Sequence, residues 1–257
     1  MIFMRILPGV LKELVKHVPA VLFQTVEWSE LASEFPKISK RMITKDGYAS
    51  LFASQMSFLR PLEIELTTDP LKQIPVPVEH NQWIAQKWLH LYFAQLHSPH
   101  GLFLDLRSHH FAAEYPVLRW HPTGLWVAFA EDFRLGLINV YDGFYLDQPD
   151  LFKQGLSRIG LLSTDWPQED QHQICELFKA QFGSVKEVDM KFDLDEFRQA
   201  MMRLADFLLS KKVTITKDFL YLGINLVTLY SALEETKEAL PVKKIYLAVR
   251  DQYQPTT

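Results

Sequence analysis

The sequence predicts a mainly α-helical protein with a small β-hairpin, organised as a single domain over residues 1–257. Three observations carry this. Apolar residues recur at three- and four-residue intervals along most of the chain, the period of a helix with one buried face. Strictly alternating apolar and polar runs are scarce, so little sheet is expected. A chain of 257 residues that is 48% hydrophobic and 13% aromatic can fill a large core.

Residues 9–23 place Val10, Leu14, Val18 and Val21 along one side of an amphipathic helix. A second helix spans roughly 28–42, with Pro36 expected to end or kink it. A third covers about 46–59. Pro61, Pro70, Pro75 and Pro77 mark a passage in which IELTT and IPVPV read as extended chain. Residues 1–80 thus form an N-terminal part of helices and extended segment, and 81–240 a core. Asn81 is placed to cap a helix over 82–97, whose Ile84, Trp88, Leu91 and Leu96 are spaced for burial. A helix over 131–146 carries Phe133, Leu137, Val140 and Phe144 on one face. Asp150 is expected to cap the next helix, which stops at Gly160. Asp193 and Glu196 have capping-box spacing, and Thr216 can cap a last long helix reaching about 238. The helices over 131–160 and 193–238 are expected to pack on one another as the main core. The closing DQYQPTT reads as a frayed end.

The charge balance excludes some partners. Net charge is −4 and Lys and Arg form no long block, which argues against nucleic acid, whose phosphates need a clustered basic surface. The single cysteine, Cys175, excludes an internal disulfide and fits a reducing compartment; in ICELFKAQF it reads as packing. Arg5, Lys12, Glu13 and Lys16 interrupt any signal-peptide core, and no apolar run reaches the ~20 residues of a bilayer span. A cytoplasmic protein is expected. A membrane-peripheral variant of that location would use helix 9–23, with its cationic residues at anionic headgroups.

The richest stretch chemically is 101–134. Leu102–Leu106 and Leu125–Ala130 flank a polar turn holding Asp105, Arg107, His109, His110, Arg119 and His121. Seven of the nine histidines lie between His80 and His121, yet none has the His-x-x-x-His spacing that puts two imidazoles on one helical face. His109 and His110 are adjacent and on extended chain would point to opposite sides. No metal site is therefore expected. The ten glycines form no phosphate-binding loop, no serine sits in a nucleophile elbow, and no cofactor is implied. Glu131 and Asp132 open a helix, where negative charge suits the dipole. Asp142 and Asp147 are expected to cap the aromatic turn YDGFYLDQP.

Taken in order, the chain resembles the AarF/UbiB family of atypical, protein-kinase-like proteins. Leu7-Pro8-Gly9-Val10 is similar to the family's Pro-Gly-Val element, with Met4 about where its ATP-contacting lysine stands. DGYASLFASQ resembles the family's Tyr-x-x-Glu-Ala-x-Asn helix, keeping Tyr48 but with Leu51 and Ser54 at the Glu and Asn positions. LDLRSHHF, residues 104–111, matches the register of Ala-Asp-Pro-His-Pro-Gly-Asn-Phe: Asp105 at the catalytic aspartate, His110 at the metal-binding asparagine and Phe111 at the closing apolar position. Ala128-Phe129-Ala130 takes the place of Asp-Phe-Gly. A rival placement puts Asp132-Phe133-Arg134 there, which makes Asp132 a candidate for cofactor binding.

The resemblance implies a protein-kinase-like C-lobe with the N-lobe largely missing. It also implies lost chemistry, because phosphoryl transfer depends on a lysine and on metal held between an Asp and an Asn. What remains at Asp105, Arg107, His109 and His110 is a remnant of a catalytic loop. The leading expectation is a noncatalytic pseudokinase acting through protein or lipid-associated partners. The alternative is a small-ligand binder or enzyme using the pocket around Asp105, Arg107, His109, His110 and His121 on an anionic substrate.

Overall fold

The computed structural model describes residues 60–69, 71, 78–98, 101–182 and 189–253, with scattered positions from Val26 to Leu59. The expected helix 9–23, the Leu7–Val10 element, Met4, Tyr48 and most of IPVPV lie outside the described residues. Described positions between 31 and 40, and between 49 and 59, are helical, in keeping with the second and third predicted helices. Pro36 does not end the helical backbone, since Pro36, Lys37, Ile38 and Lys40 are helical too. A proline's fixed φ near about −65° is itself helical.

The fold is mostly helical. The described α-helices are α1 (Asn81–His97), α2 (Glu131–Tyr145), α3 (Pro149–Arg158), α4 (Gln168–Lys179), α5 (Leu194–Ser210), α6 (Lys217–Thr236) and α7 (Val242–Tyr253). Among the described residues seven short strands accompany them: β1 (Ile64–Leu66), β2 (Leu102–Phe103), β3 (Phe111–Glu114), β4 (Val117–Trp120), β5 (Trp126–Val127), β6 (Met190–Lys191) and β7 (Ala239–Leu240). The predicted hairpin is a nested pair of ladders. Outside, β2 runs antiparallel to β5, with Leu102 opposite Val127. Inside, β3 and β4 form their own hairpin, with Phe111 opposite Trp120 and Glu114 opposite Val117. The IELTT segment is extended as expected, and it joins this sheet as β1, parallel to β4. Its pairing with a strand some fifty residues away leaves no local trace in the sequence.

Two helices, α1 and α6, are apolar on nearly every side and are buried accordingly. α1 packs on α2, α6 and α7. The main core is therefore arranged around α1, in place of a direct block of 131–160 on 193–238. Most of the residues expected there are buried all the same, including Phe133, Leu137, Phe144, Phe197, Leu204, Leu208, Phe219 and Tyr230. α1 stops where Pro99 forces Ser98 into extended backbone, ψ 124°.

Helix ends hold one expectation and overturn three. The Asp193 carboxylate accepts from the Glu196 N–H at 2.8 Å, as the capping box requires. Thr216 stands at the cap position of α6 without a side-chain cap bond. Asn81 lies inside α1 and reaches Thr236 O instead of capping. Asp150 also lies inside its helix, because Pro149, with φ already helical and no N–H to satisfy, takes the first position of α3. The end of the chain differs more. Residues 242–253 form α7, so Asp251, Gln252 and Tyr253 of the expected frayed end are helical, and residues 254–257 lie outside the described residues. Asp142 does not cap a turn; it lies within α2, buried, where it accepts from Tyr246 Oη at 2.8 Å and pairs with Arg250 Nε at 2.6 Å. That ion pair, invisible locally, joins α7 to α2 beside the buried Ile245, Tyr246 and Val249.

α2 and α3 cross at backbone distance. A Cβ built on Gly143 would stand 2.3 Å from the Phe152 backbone nitrogen and 2.6 Å from its Cα. In a helix Gly→Ala ordinarily stabilises by about 1 kcal/mol. Here the sign is reversed: Gly143→Ala is expected to destabilise by ~1–3 kcal/mol through overpacking, read as a lower midpoint in denaturant unfolding.

Candidate functional site

The site begins with a backbone that cannot move freely. Gly101 enters β2 with φ +102°, and a Cβ there would lie 2.2 Å from Val127 O, so glycine lets the two strands close. Segment 103–106 is then held by polar side chains that reach out of otherwise apolar helices. Gln95 on α1 accepts from Phe103 N at 2.7 Å. On α6, Asn225 Nδ2 donates to Phe103 O at 2.7 Å, and the Thr228 hydroxyl donates to Leu104 O at 2.9 Å and accepts from Leu106 N at 3.1 Å. All three side chains are buried. Gln95 and Asn225 each use one amide atom here, while Gln95 Nε2 and Asn225 Oδ1 have no partner among the described residues. Both backbone neighbours of Asp105 are thereby fixed to α6.

Asp105 points into a cluster of cationic and imidazole groups. Its side chain is 1% exposed. Arg107 Nε donates to Oδ1 at 2.8 Å and Nη2 to Oδ2 at 2.7 Å, a bidentate pair. The Arg107 backbone N–H also reaches Oδ1, at 3.3 Å, and His110 Nε2 lies 3.0 Å from Oδ2. Burial alone pushes the Asp105 carboxyl pKa up. The hydrogen bonds and charges of Arg107 and His110 outweigh it and hold the group well below the ordinary carboxylate range.

The histidines do not separate as expected. Ser108–His110 is a single 3-10 turn, so the rings of His109 and His110 lie together, centroids 4.0 Å apart. Alternation to opposite sides applies to extended chain, and this turn is not extended. Burial first, then the nearby His110 and Arg107, lowers the His109 pKa. His121 bonds Thr67 O through Nδ1, and Arg119 pairs with Glu114 and Glu65 on the outer face of the sheet. The structure therefore brings together Asp105, Arg107, His109 and His110, while His121 and Arg119 face other partners. Asp132 stands apart from this cluster's bonds: its side chain is 85% exposed in the first turn of α2 and pairs with Arg158 of α3 at 2.8 Å. Ala130 precedes α2, and its N–H donates to the buried carboxylate of Asp218 at 2.9 Å.

The remaining histidines of the rich stretch are dispersed. His90 bonds Gln86 O, His80 stacks on Tyr115, and His97 stacks on Tyr253 with its pKa pushed down to about 4, mainly by burial. Among the described residues no three His, Cys, Asp or Glu side chains group as metal ligands. Cys175 is buried, and burial raises its thiol pKa, which suits packing rather than nucleophilic chemistry. Among the described residues no helix is long and apolar enough to cross a membrane.

The residues missed in the sequence are Gln95, Asn225 and Thr228. A signal existed: each interrupts an apolar helical run at a position where the helix is buried, and Asn225 and Thr228 are three apart, on one face. Compared with models of protein families and with curated proteins, the chain matches none.

Chemically, the cluster is a carboxylate neutralised from within. Asp105→Asn is expected to destabilise by ~2–3 kcal/mol near neutral pH, somewhat under the range for fully buried pairs because part of the Arg107 side chain stays in water. Since folding lowers the Asp105 pKa, its contribution is complete above the unfolded value of about 3.9 and fades as pH falls below it. Denaturant titrations of the two proteins should therefore differ most at neutral pH and converge in acid.

Proposed function

We propose that this chain is a noncatalytic, kinase-like helical domain, a degenerate pseudokinase that acts through a protein or lipid-associated partner. The observation that carries the reading is the occupation of Asp105. A catalytic base must offer an oxygen within hydrogen-bond reach of the substrate proton and hold a pKa near the working pH. Asp105 is buried, bound on both oxygens by Arg107 and on one by His110, and strongly acidic. At the position that the resemblance gives to a metal-binding asparagine, the His110 Nε2 is engaged with Asp105. At the position given to the metal-binding aspartate, Ala128 offers a methyl group. Kinase chemistry is positioning and charge neutralisation, and these residues supply neither to a nucleotide.

The same geometry weakens the small-anion alternative, because two nitrogens of the Arg107 guanidinium already face a carboxylate. A partner has a surface to cover elsewhere. Tyr115, at the tip of the β3–β4 hairpin, and Val78 are exposed apolar side chains, and the Tyr115 ring packs against His80 and Trp83.

The test is a calorimetric and thermal-shift titration with ATP and Mg²⁺. The expected result is no Mg-dependent heat and no change in melting temperature. Tight, Mg-dependent binding that Asp132→Ala abolishes would overturn the reading and move the metal motif to Asp132. Mg-independent binding lost in Arg107→Ala would favour the anion-binding alternative.

A further inference from the structure

A histidine lies in the seam where α7 meets the end of α1. α7 packs on α1, with Ile245, Tyr246 and Val249 buried. Its last turn is held by a different set of contacts. The Tyr253 ring lies 4.6 Å from that of Phe58, and Tyr253 Oη donates to Phe58 O at 3.0 Å. The same ring stands nearly parallel to the imidazole of His97, with 12° between planes and 6.3 Å between centroids. His97 is the last residue of α1. The final turn of α7 thus bridges the N-terminal helical residues and the end of α1.

The imidazole is set for one charge state. Its Nε2 is shut off from solvent and has no hydrogen-bond partner. A neutral ring can leave that nitrogen without a hydrogen, at the modest cost of one unused acceptor. An imidazolium carries N–H on both nitrogens, so a charged donor would be buried with nothing to accept from it, and such a group costs more than a neutral one. The surrounding charges do not relieve this. Among the described residues, the charged groups that act on the ring are Arg134 and Asp142 of α2 and Arg250 of α7. Asp142 attracts the proton, but it is already paired with Arg250 Nε at 2.6 Å and accepts from Tyr246 Oη at 2.8 Å. A helix C-terminus ordinarily favours a cation. Here burial, foremost, and the two guanidiniums prevail over the pull of Asp142 and hold the His97 pKa at about 4.

To take a proton the ring must bring Nε2 to water, and it does so by leaving its place beside Tyr253. We propose that His97 is an acid-sensitive clasp for the end of α7: neutral, it fills the seam and the Tyr253 turn stays closed; protonated, it leaves the seam and that turn opens. The device is independent of the Asp105 cluster and of the reading given to it. Linkage sets the sign. The closed state holds its histidine near about 4 and the open state near the ordinary 6.5, so the closed state binds fewer protons between those values. Closure is complete above the ordinary value and is lost progressively as pH falls below it.

The experiment uses the full chain. Amide hydrogen exchange over residues 250–253, corrected for the intrinsic pH dependence of exchange, should show roughly tenfold less protection at about pH 5.5 than at about pH 7.5. α1 and α6 should keep their protection, because the opening is local. His97→Phe and His97→Gln, which cannot titrate, should each hold the turn's protection constant between the two pH values. Titration of the His97 ring by NMR in the wild-type protein gives a reading that needs neither variant to fold, and it should fall well below the ordinary histidine range. A His97 that titrates at its ordinary value, wild-type protection indifferent to pH, a fall of equal size in both variants, or a loss spread over α1 and α6 would each overturn the assignment.

Discussion

The polar clamp that α6 and α1 place on segment 103–106 is the constraint on which the rest of the site depends. Asn225 and Thr228 are a helical turn apart in an apolar helix, and burying them without partners would cost more than the helix gains from them. Their partners are the backbone groups on either side of Asp105. Helix burial and loop geometry thus become one requirement. Once Phe103, Leu104 and Leu106 are fixed, the Asp105 carboxylate can only face inward, and the chain must supply cations to meet it. Arg107 and His110, two and five residues on, do so from the same loop.

A second buried carboxylate organises the opposite side of the core. Asp142 sits in α2 among Tyr92, Tyr141, Phe93 and Tyr246, whose rings meet at centroid separations between 5 and 6.5 Å. Tyr246 and Arg250 of α7 satisfy it, so that α7 closes over α1 through one ion pair and a set of aromatic edges. Lys217, Asp218 and Glu34 repeat the device: Lys217 Nζ lies 3.1 Å from Glu34 and 3.2 Å from Asp218, tying the N-terminal helical residues to the start of α6. For Asp142 with Arg250, and for Glu34 with Lys217, the partner comes from a different element, and the pairing sets the relative position of the two.

This economy bears on function. An active site keeps some polar groups under-used so that a substrate can take them up. In the 105–110 loop the chain's own side chains bind the carboxylate, and its charge is spent on holding the loop. The position with catalytic ancestry in the proposed reading is thus structurally closed.

Much of the architecture was legible in residue order alone. The periodicity of 82–97, 131–146 and 193–238 dictates helices, Pro99 dictates where α1 ends, and Asp193 with Glu196 dictates a capped start, since each depends only on neighbours within a turn. The two apolar runs at 102–106 and 125–130 likewise announce a hairpin, and the polar turn inside it holds Asp105, Arg107, His109 and His110, together with Arg119 and His121, which the fold sends to other partners. What the tertiary structure decided is which groups use which. Asp142 reads as a turn cap until α7 folds onto it. His109 and His110 read as opposed until a 3-10 turn sets them side by side. Asn225 and Thr228 read as flaws in an apolar helix until the 103–106 backbone reaches them from more than a hundred residues away, and Gln95 on α1 until Phe103, eight residues on, turns back to it. The physical reason is common to all three. Local spacing determines the backbone conformation a segment prefers, whereas a buried polar group is satisfied by whatever the packed chain brings within about 3 Å of it, and that distance is set by the fold.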